Sequence, residues 1–499
     1  MRSFSHSLSV ATLALLVLLQ PACSDNDLNG RNPQPDYLPV SQATVELPPD
    51  EGSIFLLTTT FDLTDVGYRQ SEFFLSGTAN AFTNSSELGS DGRWQVEAAE
   101  TADYKTRVVV YRPIDPEQFS GTVIIEWLNV TAGFENPPNW GAAHTEILRA
   151  GHAWVGLSAQ RVGIEGSPNA IAPFHLKAVN PARYGSLSHP GDSFSYDILS
   201  QTAQALRKPG NIDLLDGLGP DQFIATGQSQ SAGRLMTFIN AIQPLYGIFD
   251  GFLVQSRGDG SSPLAQDPQI PIPAPESVIV RTDLTVPVLN LQAETDVVFL
   301  GSVNDRQPDN DHFRLWEVAG TSHSDHYTNV VGRQDIGTDP RFAVVVEEKS
   351  VLGFLECDAP MNAGPLPWVT NAAVRALDNW IRNGELPPTA DRLAVTDDLA
   401  GYDEDELGNA LGGIRTPYLD APAALLNGDP QEGDRFCFLF GGTRLFDAAQ
   451  MASLYVDKAG YMQAVSDAAD DAFEKGFLLA PDVERIKAAA GLQWDLLGI

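Results

Sequence analysis

Cysteine is scarce: three residues in 499, Cys23, Cys357 and Cys437, with no spacing that suggests a metal site. Positive charge is scarce too, with 31 Lys+Arg against 65 Asp+Glu and a formal charge of −34. A surface this acidic repels phosphate backbones and anionic headgroups, so nucleic-acid binding and polybasic membrane attachment are excluded as working readings. The excess acid serves solubility instead. The apolar run at 8–19 is too short to span a bilayer. No repeat with a period of 20–50 residues stands out. What remains is a chain that is 43% hydrophobic and 9% aromatic, hence globular. Its length allows two to four domains, or one large α/β domain with insertions.

The first 23 residues read as an export signal. Arg2 supplies the positive region, 8–19 the apolar core, and Gln20-Pro21-Ala22-Cys23 resembles a bacterial lipoprotein cleavage site in which Cys23 becomes the lipidated N-terminus. Gln20 stands where such sites usually carry Leu, which leaves free secretion open. The polar stretch 24–50, rich in Pro, Asn and Asp, reads as a flexible tether to a domain covering 51–499. Membrane association is expected only through the N-terminal lipid. In an oxidising compartment the two remaining cysteines, Cys357 and Cys437, are expected to pair.

Short apolar, β-branched runs at 107–111, 122–127, 153–157, 223–226, 251–254, 286–291 and 314–318 read as strands. Helix-period segments at 141–150, 195–206 and 232–242 lie between several of them. The alternation predicts a mostly parallel sheet covered on both faces. Residues 45–120 alternate without helices and supply an antiparallel N-terminal edge. Helices return at 370–383 and in a C-terminal extension, about 395–499. Loop-rich segments at about 161–190, 257–276 and 325–367 are expected to form a cap that shapes the pocket.

The chemical centre is the stretch 223–233, in which a strand runs into Gly227-Gln228-Ser229-Gln230-Ser231 and a helix follows. A nucleophile elbow places its serine on a strained strand-to-helix turn with small residues two before and two after. Ser229 and Ser231 both satisfy the spacing. The strand end at Thr226, abutting Gly227, puts Ser229 at the tip. On such a sheet the orienting acid and then the base follow in chain order. The strand 286–291 is followed by Glu294 and Asp296, with Asp296 preferred. The strand 314–318 is followed by His323, with His326 as competitor. One oxyanion N–H is expected from Gln230 and a second from Asn129 or Val130, in the loop after 122–127. Phe134, Pro137, Pro138, Asn139 and Trp140 are candidates for the pocket mouth.

These blocks also carry a resemblance. Glu126-Trp-Leu-Asn-Val130, Ser158-Ala-Gln160, Tyr184 to Asp192, the Gly-x-Ser-Gln-Ser elbow, Leu291 to Asp296 and Gly320-Thr-Ser-His323 resemble a large family of exported, mostly bacterial α/β-hydrolases. The resemblance spans about 60 to 445, with the paired cysteines at matching places. It implies an α/β-hydrolase fold and a Ser-His-acid site on Ser229, His323 and Asp296 or Glu294. The expected activity is hydrolysis of a small-molecule or polymeric carboxylic ester, with no metal or organic cofactor. A peptidase or acyltransferase would use the same residues, and a non-catalytic surface binding protein would keep only the scaffold.

Overall fold

The computed structural model describes residues 37–498. The export signal, Cys23 and the tether as far as residue 36 lie outside the described residues. The rest of the expected tether is partly structured: Thr44–Glu46 forms strand β1, because Val45 is buried opposite Leu75.

A nine-stranded sheet organises the chain. After β1 come the long strands β2 (Tyr68–Asn84) and β3 (Val96–Pro113), then β4 (Thr122–Trp127), β5 (Ala153–Leu157) and β6 (Gln222–Gln228). Three more, β7 (Gly251–Gln255), β8 (Val288–Ala293) and β9 (Phe313–Val318), complete it. The order is β1-β2-β3-β5-β4-β6-β7-β8-β9. Strands β1, β2 and β3 pair antiparallel, as does β3 with β5, and every other neighbour pairs parallel. The alternation of short strands and helices predicts this mostly parallel sheet with an antiparallel edge, and its architecture is the α/β-hydrolase one that the resemblance implies. Strand β6 runs two residues beyond its expected end, to Gln228.

The strands are continuous apolar runs because both faces are covered. Along β4, Val123, Ile125 and Trp127 join one core and Ile124 the opposite one. The helices Ser195–Arg207 and Gln230–Thr237 close the first face through Leu199, Leu206, Leu235 and Met236. Pro138–Arg149 and Leu366–Asn383 close the second through Trp140, Ile147, Val369 and Leu377. The C-terminal helices Lys458–Glu474 and Ala480–Leu496 build a separate cluster around Tyr461, Val465, Val483 and Ile486. Asp482 ties them to the body by accepting two N–H bonds from Arg149, each 2.7 Å. Among the described residues no helix is long and apolar enough to cross a membrane.

One charged side chain interrupts β4. Glu126 is fully buried, yet its carboxylate accepts the backbone N–H groups of Asn139 (2.8 Å) and Trp140 (2.9 Å) and the indole N–H of Trp154 (2.9 Å). The first two are unpaired donors at the start of Pro138–Arg149, where the helix dipole favours negative charge. Burial still pushes Glu126 up to about 7. A second buried carboxylate, Glu135, pairs with Arg107, whose Nε donates to Ser158 Oγ at 3.0 Å. Both contacts pin the loop between β4 and its helix.

Chain direction reverses around β4. It leaves β4 toward β5 on one side and, after crossing back, leaves β6 toward β7 on the other. The crevice beyond the carboxyl ends of β4 and β6 is therefore the switch point, where ligands of open α/β sheets bind.

A disulfide joins Cys357 to Cys437, 80 residues apart. It ties the small hairpin of Ser350–Val351 and Leu355–Glu356 to the turn Cys437–Leu439. Cross-linking a loop of this length constrains the unfolded chain, a stabilisation of about 2–4 kcal/mol. Reduction with dithiothreitol, or the Cys357→Ser/Cys437→Ser pair, is expected to lower the denaturation midpoint accordingly. Proteolysis in 348–360 should accelerate with it, and an unchanged midpoint and cleavage pattern would contradict this account.

Candidate active site

Ser229 stands where β6 turns into Gln230–Thr237, with φ +61° and ψ −124°, a conformation that residues with a β-carbon rarely adopt. Its N–H donates to Gln255 O at 3.1 Å, and its carbonyl accepts from Gly233 N–H at 3.1 Å. The turn is tight enough that a β-carbon on Gly227 would lie 2.8 Å from Ser231 O. Ser231, the other serine of the motif, is fully buried in the first helical turn and does not line the cavity described below.

His323 and Asp296 come from the loops after β9 and β8. His323 Nε2 lies 2.8 Å from Ser229 Oγ, and Nδ1 lies 2.5 Å from Asp296 Oδ1. The other Asp296 oxygen accepts Ala293 N–H at 2.7 Å, which locks the carboxylate across its own short turn, Glu294–Val297. The carboxylate therefore faces Nδ1–H, and the lone pair of Nε2 faces the hydroxyl. Gln228 steadies the ring's backbone by donating its amide to His323 O at 3.0 Å. His323 N–H donates to Thr295 Oγ1 at 3.2 Å.

Glu294 is placed elsewhere. Its oxygens accept the N–H groups of Gly320 (2.5 Å) and Gly428 (2.8 Å), so it clamps the loop that carries His323 to a distant strand end. Gly428 sits so close that a β-carbon there would meet Glu294 Cβ at 2.5 Å. Burial pushes the Glu294 carboxyl up to about 8 against those two donors. His326 is buried three residues past His323, with its own N–H on Asn362 O, and the bonds to Ser229 and Asp296 belong to His323.

Oxyanion donors are expected from Gln230 and from Asn129 or Val130. Gln230 N–H opens the helix, among the first-turn donors that have no intrahelical acceptor. Of the two residues expected to supply the second, Asn129 already donates its N–H to Asn136 O at 2.9 Å, which takes it away from an incoming oxyanion. Its side chain instead braces the elbow by donating to Gln228 O at 3.0 Å. Val130 N–H meets no acceptor among the described residues.

Ser229 and His323 open onto a cavity of about 420 Å³. Phe134, Pro137, Pro138 and Trp140 line it, whereas Asn139 turns inward to donate to Gln255 Oε1 at 2.7 Å. The expected cap segments contribute unequally: 161–190 supplies Ile171, Ala172 and Phe174, 325–367 supplies more, Arg333, Val351, Leu352 and Phe354 among them, and 257–276 supplies none. Part of the wall comes from stretches with no signal in the sequence, Phe55 to Thr58 and Phe436 to Phe440. Among the described residues no cluster of three His, Cys, Asp or Glu side chains is placed to hold a metal ion.

The chain is similar in structure to acetyl xylan esterase 1 from Thermoanaerobacterium sp. JW/SL YS485, at 10% identity over 55% of this chain and 81% of that one, with a TM-score of 0.27. For a glucuronoyl esterase from Solibacter usitatus the values are 11%, 55%, 82% and 0.27. For a thermostable esterase from Pseudomonas putida ECU1011 they are 11%, 49%, 72% and 0.26. Likeness at this level carries no inference about substrate. No curated protein sequence matches the chain. A family model described as an alpha/beta hydrolase domain matches residues 38–488. With that match covering nearly all of the described fold, the chain belongs to the alpha/beta hydrolase domain family.

Proposed function

We propose that this chain is an exported serine hydrolase that cleaves a carboxylic ester through an acyl-enzyme. The observation that carries the reading is the continuous relay Asp296–His323–Ser229 at the wall of an apolar cavity. Ser229 Oγ attacks the ester carbonyl while His323 Nε2 takes its proton, and Asp296 stabilises the imidazolium that results. The tetrahedral oxyanion is held by the N–H groups of Gln230 and Val130, preorganised by the helix start and by the pinned loop after β4. His323 then protonates the leaving alcohol and activates the water that releases the acid. Glu294 acts on position and stability, since both its oxygens are committed to backbone donors away from the ring. Delivery outside the cytoplasm, with Cys23 as a lipid anchor, is part of the proposal, and a bonded Cys357–Cys437 pair is compatible with it.

With a short p-nitrophenyl ester series, Ser229→Ala is expected to lower kcat/KM by about three orders of magnitude or more at equal folded concentration. Fluorophosphonate labelling should vanish with it and survive Ser231→Ala, and the reverse pattern would reject Ser229 as nucleophile.

The two carboxylates separate by readout. Asp296→Asn is expected to cost about three orders of magnitude or more in kcat with little change in folding. Glu294 binds its proton more tightly folded, up to about 8, than unfolded, where a glutamate titrates at 4.5. The stability from that held proton is complete at acid pH and is lost as pH rises from 4.5 through about 8. Glu294→Gln should flatten this fall in the midpoint across pH 5 to 8.5. An Asp296→Asn enzyme of normal kcat, or an unchanged slope in Glu294→Gln, would overturn the assignment.

A further inference from the structure

The cavity beside Ser229 holds a feature that ester hydrolysis does not use. Arg333 lines it, and apart from His323 no other lining residue carries a titratable charge; in particular none is Asp or Glu. In a chain with 65 acidic residues against 31 basic ones, buried arginines here normally have carboxylate partners. Arg107 has Glu135, Arg183 has Glu72, Arg257 has Asp305 and Arg485 has Asp335. Arg333 is half-buried and pairs with no carboxylate among the described residues. Its Nε donates to Thr58 O at 3.0 Å, which fixes the plane of the guanidinium. Nη1 and Nη2, with four N–H donors between them, are left for something else.

We infer that Arg333 is an anion subsite, and that the ester this enzyme accepts carries a carboxylate on an otherwise apolar body. This rests on the ester-hydrolase reading of the same cavity. A planar guanidinium held at one nitrogen presents a fork matched to two carboxylate oxygens. The body of the substrate would lie along Trp140, Phe134 and Phe174. Burial without a counter-charge lowers the proton affinity of Arg333, in line with a group that awaits its partner from outside. The proposal assigns selectivity to Arg333 and leaves the reaction to the relay.

The test compares esters that differ only in charge: mono-p-nitrophenyl esters of glutaric and adipic acid and 4-carboxyphenyl butyrate, each beside its neutral methyl ester. The wild type is expected to favour charged members in kcat/KM by 10-fold or more in at least one pair, mainly through KM. Arg333→Gln should lower that charged-to-neutral ratio by about 10- to 100-fold, and Arg333→Lys should restore part of it. Equal losses on both members, or no preference in the wild type, would overturn the inference. Calorimetric binding of the same pairs to Ser229→Ala separates this from failure of the ester reading. Tighter binding of the charged member that is lost with Arg333→Gln supports the subsite even if no ester is turned over. Equal binding of both members rejects it even if Ser229-dependent hydrolysis is found.

Discussion

The elbow at Ser229 is the constraint on which the site depends. A strand buried on both faces has to end at the sheet edge and become a helix within one residue, and that residue takes a positive φ at a cost of about 1–3 kcal/mol. The cost is borne because neighbours leave no alternative: Gln255 holds the Ser229 N–H, Asn129 holds the carbonyl of Gln228, and Gly227 lets the chain fold back on Ser231. The hydroxyl then points away from the sheet, where loops from the parallel strands β8 and β9 bring a carboxylate and an imidazole in sequence. Parallel pairing makes this possible, since it sets the carboxyl ends of β4, β6, β8 and β9 along one edge.

Buried carboxylates are the second organising device. Glu126 starts the helix after β4, Glu135 ties the same loop to Arg107, and Glu294 clamps the histidine loop. Each takes backbone donors or an arginine in place of water, which is the condition for burying a carboxyl group at tolerable expense. In return each fixes a loop whose residues line the cavity beside Ser229.

Strands β4 to β9 were legible because each is a compact apolar run closed by polar turns, and the antiparallel edge because 45–120 alternates without helical period. Boundaries moved where burial continued past the apolar run, as at Gln228, which is polar yet lies inside the strand. Glu294 and Asp296 share one turn, and only their directions set Asp296 on His323 and Glu294 on Gly320. Periodicity over four residues carries no such information. The commitment of the Asn129 N–H to Asn136 needs the folded loop, and nothing in the residues around Arg333 marks it as facing a cavity. The segment 257–276 has the composition of a cap but lines none of the cavity, because composition reports exposure and not direction.

The ion pair between Arg149 and Asp482 has a temporal side. The two residues lie 333 positions apart, so at 5–20 residues per second Asp482 is synthesised roughly 15 to 70 s after Arg149. The residues of the helix that Glu126 starts are thus made long before the carboxylate that fastens its far end. The fastening of that end to the body therefore depends on the last segment of the chain to be made.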